Sequence, residues 1–214
     1  MVKAEHFPEQ SVAAEERILK AATKIFREKG REGARMQEIA DAAGINKALL
    51  HYYFRSKDQL FERVFQESAR LFFFRLNEIL QSERDIFQKI TQLCDAYISL
   101  SVENPFIPVF IIGEMNRSQD IFISNMFTAT QSRPDFSIFR QQLQAAAEAG
   151  IIRRVAPHQL IMNILGLCIF PVIAKPMMQF NMGIGEGEFM ALMEERKRLV
   201  PELIISSLKI EKSE

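Results

Sequence analysis

Apolar residues recur every three or four positions along almost the whole chain, and no segment alternates apolar with polar residues over the length of a strand. That property argues against a sheet and predicts an all-α fold. The repeat is punctuated by recognisable helix ends. Ile18, Ala22, Ile25 and Phe26 mark one face of a helix over 11–29 that Gly30 stops. Met36, Ile39, Ala40 and Ala43 make a second, two-turn stripe ending at Gly44. Asn46 can cap a third short helix whose inward residues are Leu50 and Tyr53 or Phe54. Ser56 and Gln59 then form a capping box that opens a long fourth helix along Leu60, Val64, Leu71, Leu76, Ile79 and Leu80.

Beyond it, Ile86, Ile90, Leu93, Tyr97 and Leu100 mark a helix that must end before Asn104-Pro105. A short apolar piece from Phe106 to Met115 and a looser one from Gln119 to Thr130 precede the break at Arg133-Pro134-Asp135. Phe136, Phe139, Leu143, Ala146 and Ala147 resume helical spacing until Gly150. A strongly apolar helix is expected from Pro157 to about Phe180, and a last one from about Glu188 to Leu208 after a glycine-rich turn. Three short helices lie in the first fifty or so residues, so the 214-residue chain divides into a small unit over 11–57 and a larger one over 58–210.

The two units differ in charge. Residues 17–57 carry ten basic groups against four acidic ones, although the whole chain is balanced at 27 of each sign. A polyanion partner for the first unit and a solvated basic surface both fit that asymmetry. Cys94 and Cys168 sit in apolar helical patterns without CxxC or Cys/His spacing, so buried apolar roles are expected, with no metal and no cofactor. The start has no apolar signal region, and the stretch from Leu160 to Ala174 is too short to span a bilayer. A cytoplasmic protein without membrane contact is the expectation.

The segment from Met36 to Phe54 carries the functional signal. A helix-turn-helix needs a small residue where its helices touch, a residue tolerant of positive φ in the turn, and an apolar anchor on the second helix. Ala40, Gly44 and Leu50 meet those needs in order, with Ile39, Ala43 and Ile45 filling the shared core. A plain helical hairpin would satisfy the same three positions. The flanks add to the signal: Lys29-Gly30 before the motif, and Tyr53-Phe54-Arg55-Ser56-Lys57-Asp58-Gln59-Leu60-Phe61 after it, resemble the TetR family of transcriptional regulators. The resemblance is close over 11–65, and beyond that it extends to length and an all-helical plan.

The resemblance implies a homodimer that binds double-stranded DNA as a repressor and is released by a small, largely apolar effector. Asn46, Lys47, Ala48, Leu49, His51 and Tyr52 would face the major groove, with Lys47, Ala48, Leu49 and Tyr52 at positions that touch bases or phosphates in the family. Lys57 falls where a lysine at the start of the fourth helix meets the backbone, and free N–H groups there favour a phosphate independently. Arg35 stands where the family usually caps the second helix with Thr, which it cannot do, but it can reach a phosphate; Gln37 completes the set. At His51, in place of the usual Tyr, a DNA contact and a neutral solvent-facing or buried imidazole remain alternatives.

For the larger unit, the resemblance implies dimerisation through the last two helices and an effector cavity. Tyr97, Phe110, Glu114, Phe139 and Met162 are its candidate liners, although ordinary core packing explains each equally well. Met115, Met126, Met162, Met177, Met178 and Met182 would make such an interior adaptable. An enzyme is disfavoured, because no nucleophile–base pair, phosphate loop or metal spacing occurs and His6, His51 and His158 share no constellation. A DNA binder without effector sensing, on the same fold, is the other alternative.

Overall fold

The computed structural model describes residues 8–113 and 134–210, and among these it is helical with no strand. The elements are α1 (Pro8–Gly33), α2 (Met36–Ala43), α3 (Lys47–Tyr53), α4 (Lys57–Gln81) and α5 (Ile86–Glu103). They continue with α6 (Phe106–Gly113), α7 (Ser137–Glu148), α8 (Pro157–Ile173), α9 (Lys175–Met182) and α10 (Glu186–Leu208). Among the described residues no single helix is long and apolar enough to cross a membrane.

The chain forms two compact units that divide at Ala69–Arg70, inside α4, rather than at the 57/58 helix start expected from sequence. The first turns of α4 belong to the N-terminal unit because Leu60, Phe61 and Val64 are buried there, with Phe61 edge-on to Phe26 of α1 at 4.9 Å. Ile18, Ala22, Ile25, Phe26, Ile39, Ala40, Ala43 and Leu50 complete that core, so the helical stripes are buried where spacing placed them. Of the two alternatives on the third helix, Phe54 is the buried one. Gly30 interrupts α1 with φ 66° and ψ 178°, a conformation essentially restricted to glycine, and a short turn to Gly33 follows.

In the C-terminal unit α5 packs against α7, α8 and α10. Its start is fixed by Asp85, which accepts from the N–H groups of Phe87 and Gln88 at 2.9 and 3.0 Å. Cys94 and Cys168 are both buried, and the hydrogen bond between the two thiols, with burial, pushes that of Cys168 up. The expected helix from Pro157 to Phe180 is two helices, α8 and α9, bent by 71°. Pro176, in the first turn of α9, supplies no N–H to continue α8. Pro171 lies inside α8 and likewise cannot donate to the carbonyl of Leu167. That carbonyl accepts instead from Arg196 Nη2 of α10 at 2.7 Å. The backbone N–H of Arg153, which precedes α8, donates to the Leu208 carbonyl at 2.9 Å, and its guanidinium donates to that of Ser207, closing the end of α10.

Lys89 is fully buried, and its ammonium donates to the Leu80 carbonyl near the end of α4 at 2.7 Å. Burial lowers its pKa from the usual 10.5. The unfolded chain therefore holds this proton to higher pH than the folded one, and stability must rise with pH across the interval that ends near 10.5. Below that interval both states are protonated and the burial cost is felt in full. Denaturant titrations from neutrality to that limit are expected to show a gain in wild type that Lys89→Met lacks; parallel curves for the two proteins would refute it.

Candidate nucleic-acid interface

α2 and α3 are joined by a turn whose chemistry is local. Gly44 has φ 66° and ψ 38°, the left-handed conformation that ends α2, and its N–H donates to the carbonyl of Asp41 at 3.1 Å. The Ile45 N–H reaches back to the carbonyl of Ala40 at 3.0 Å. Ala40 and Leu50 are both fully buried, so the small contact residue and the anchor occupy the positions a helix-turn-helix requires. Asn46 caps α3, its side-chain oxygen accepting from the Leu49 N–H at 2.7 Å.

This leaves an outward face on α3. Lys47, Ala48 and His51 are exposed, with Leu49 at 37% and Tyr52 at 81%, the latter edge-on to Tyr53 at 5.6 Å. Arg35 is exposed in extended conformation at the start of α2 and makes no side-chain cap, as its chemistry dictates. Gln37 is exposed but engaged, donating to Asp41 at 2.8 Å.

Lys57 is half-buried, and its ammonium donates to the carbonyls of Glu32 and Ala34 at 3.3 and 3.4 Å. It therefore ties the start of α4 to the loop that carries Arg35, a role the sequence did not disclose. Arg31 adds a second tie, donating to Asp58 at 2.8 Å with its guanidinium 5.9 Å from the Phe61 ring centre. Lys29 pairs with Glu38 at 3.0 Å, and the hydrogen bond from its ammonium holds that carboxyl below the usual carboxylate range. These partners are far apart in sequence, so no local pattern announces them.

The family described as "Bacterial regulatory proteins, tetR family" matches residues 18–64, the stretch that holds most of α1, all of α2 and α3, and the start of α4. Over that stretch the chain is similar to the TetR family. The HTH-type transcriptional repressor KstR2 of Mycolicibacterium smegmatis is 30% identical to it over 86 residues, which cover 40% of this chain and 42% of that repressor. The match therefore spans less than half of that relative's length. The solved structure of HlyIIR, a hemolysin II transcriptional regulator, is 25% identical with a TM-score of 0.56, covering 92% of this chain and 98% of that one. FadR from Bacillus subtilis, solved with stearoyl-CoA, has a TM-score of 0.56 at 18% identity, covering 90% of this chain and 98% of that one, and shows the shared fold. The family and these relatives are described as regulators.

In the C-terminal unit the candidate effector residues separate. Phe139 is fully buried, Tyr97 is buried with its ring 5.2 Å from that of Phe72, and Phe110 is half-buried. Burial pushes the Tyr97 phenol up, keeping it neutral. Glu114, Met115 and Met126 lie outside the described residues. Met162 is 62% exposed on α8 in the single chain, and Met177 and Met182 of α9 are likewise exposed. Hydrophobic spacing on α8 cannot separate an inner from an outer face, because that helix is apolar nearly all round. Two grooves of about 660 and 960 Å³ open in this unit, the first beside Arg140, Gln144 and Arg154, the second beside Arg75, Arg84 and Asp95. Neither is lined by Tyr97, Phe110, Phe139 or Met162.

Proposed function

We propose that this chain is a sequence-specific DNA-binding regulator, acting in the cytoplasm as a homodimer and as a repressor that a small apolar effector releases from its operator. The observation that carries the DNA-binding reading is the outward face of α3, where Lys47, Ala48, Leu49, His51 and Tyr52 are exposed beside an anchored turn. One short recognition helix reads few base pairs, so useful specificity calls for two copies about 34 Å apart on successive major-groove turns. Exposed apolar side chains on α8 and α10, among them Met162, Phe170, Leu199 and Leu203, support pairing through the last two long helices. Selection from a random duplex pool is expected to enrich an inverted repeat; enrichment of no sequence would refute the reading.

Lys57 has two duties in this proposal, meeting a backbone phosphate while it holds the 32–34 carbonyls. Lys57→Ala should therefore weaken all duplexes alike and lower the salt slope by about one unit per half-site. It should also cost about 1 kcal/mol of stability as the carbonyls lose their donor. Unchanged affinity and slope would limit Lys57 to the structural tie.

Effector release is supported by the fold shared with FadR, a chain solved with stearoyl-CoA. It requires the effector to prefer the arrangement that does not fit DNA, with couplings of about 5- to 150-fold. Because coupling is reciprocal, operator DNA must weaken effector binding by the same factor. Calorimetry with and without operator tests this on any compound that binds, and equal affinities would leave a DNA binder without sensing.

A further inference from the structure

The face of α3 proposed to enter the groove is not evenly polar. Ala48 and Leu49 lie four and three residues before Tyr52, which places the three on one side of the helix, and all are exposed. Lys47 and His51 share the neighbouring side. Two of the polar candidates near this face are already engaged: the Asn46 side-chain oxygen caps α3 and the Gln37 amide is tied to Asp41. Exposed leucine and alanine side chains are a poor choice for phosphate contact, which the exposed Arg35, Lys47 and Arg55 suit better. They suit the apolar group that the major groove presents, the 5-methyl of thymine, which separates an A·T pair from the other pairs without any hydrogen bond.

We infer that Leu49, supported by Ala48, is a specificity-determining residue that reads thymine methyl groups, so that each half-site contains a thymine recognised by its methyl. The inference rests on the DNA-binding function proposed above and assigns how that same surface discriminates. Lys47 and Arg35 then supply charge, and Leu49 supplies the choice of base.

Replacing thymine by deoxyuridine removes the methyl and leaves every hydrogen-bonding group in place, which makes the test direct. The wild-type protein is first used to select its duplex from a random pool. Each thymine of the selected half-site is then changed singly to deoxyuridine, and affinities are measured by fluorescence anisotropy at fixed salt. At one or more positions the change should weaken wild-type binding about fourfold, the value of one methyl group removed from an apolar contact. The same change should have no effect on Leu49→Ala, whose exposed site leaves the fold intact. Indifference of the wild type to every deoxyuridine overturns the inference while leaving DNA binding standing, and undiminished sensitivity in Leu49→Ala overturns the assignment to Leu49. Failure to enrich any sequence is a different result, and it removes the DNA-binding function together with this inference.

Discussion

Truncating Leu50 to alanine is expected to destabilise the N-terminal unit by about 2–5 kcal/mol, the range for a large aliphatic side chain removed from a closed core. α3 spans Lys47–Tyr53, and Leu50 is its one buried residue, with Phe54 following just past its end. A unit of this size has little stability in reserve, so the loss is comparable with the whole. DNA binding should disappear with it, since the exposed face of α3 has no other anchor inside the helix. Thermal melts followed by circular dichroism, with duplex binding measured below the transition, check both halves of the expectation. A variant that melts within about 1 kcal/mol of wild type would show that the turn and caps alone position α3.

The second large effect is expected at Leu203→Glu. Leu203 is 58% exposed on α10, so a carboxylate there is solvated in an isolated chain and the fold should be undisturbed. In a symmetric dimer formed through α8 and α10, each substitution appears twice, and two carboxylates lose water without partners, at a cost of several kcal/mol. Light scattering should then report a monomer where wild type is a dimer. Affinity for a duplex with two half-sites should fall by about a hundredfold or more as the second recognition helix is lost. A variant that remains dimeric, or a wild type that is monomeric at the same concentration, would place the interface elsewhere or remove it.

What could be read from sequence follows from how local the controlling physics is. The turn around Gly44, the cap at Asn46 and the Ser56 start of α4 each involve residues within four positions of one another, and Ser56 does accept from the Gln59 N–H at 3.2 Å. Periodicity failed where it carries no phase information. In the run Leu71-Phe72-Phe73-Phe74 every side of the helix is apolar; Phe73 is the buried residue, while Leu71, expected inside, is 57% exposed. Lys89 escaped notice because its type belongs to the surface, and only the approach of the Leu80 carbonyl explains its burial. At Lys57 the sequence suggests a phosphate contact, whereas its grip on the Glu32 and Ala34 carbonyls depends on residues more than twenty positions away.

The proline within α8 and the arginine that answers it also constrain how this sequence can drift. Pro171 leaves the Leu167 carbonyl without a helical donor, and Arg196 supplies one from α10. A lineage that lost Arg196 first would pass through an ancestor with a bare acceptor between two helices. One that exchanged Pro171 first would regain the backbone N–H and could then discard the arginine freely. The two substitutions are therefore tolerated in one order and penalised in the other, and related chains should keep Arg196 wherever they keep Pro171.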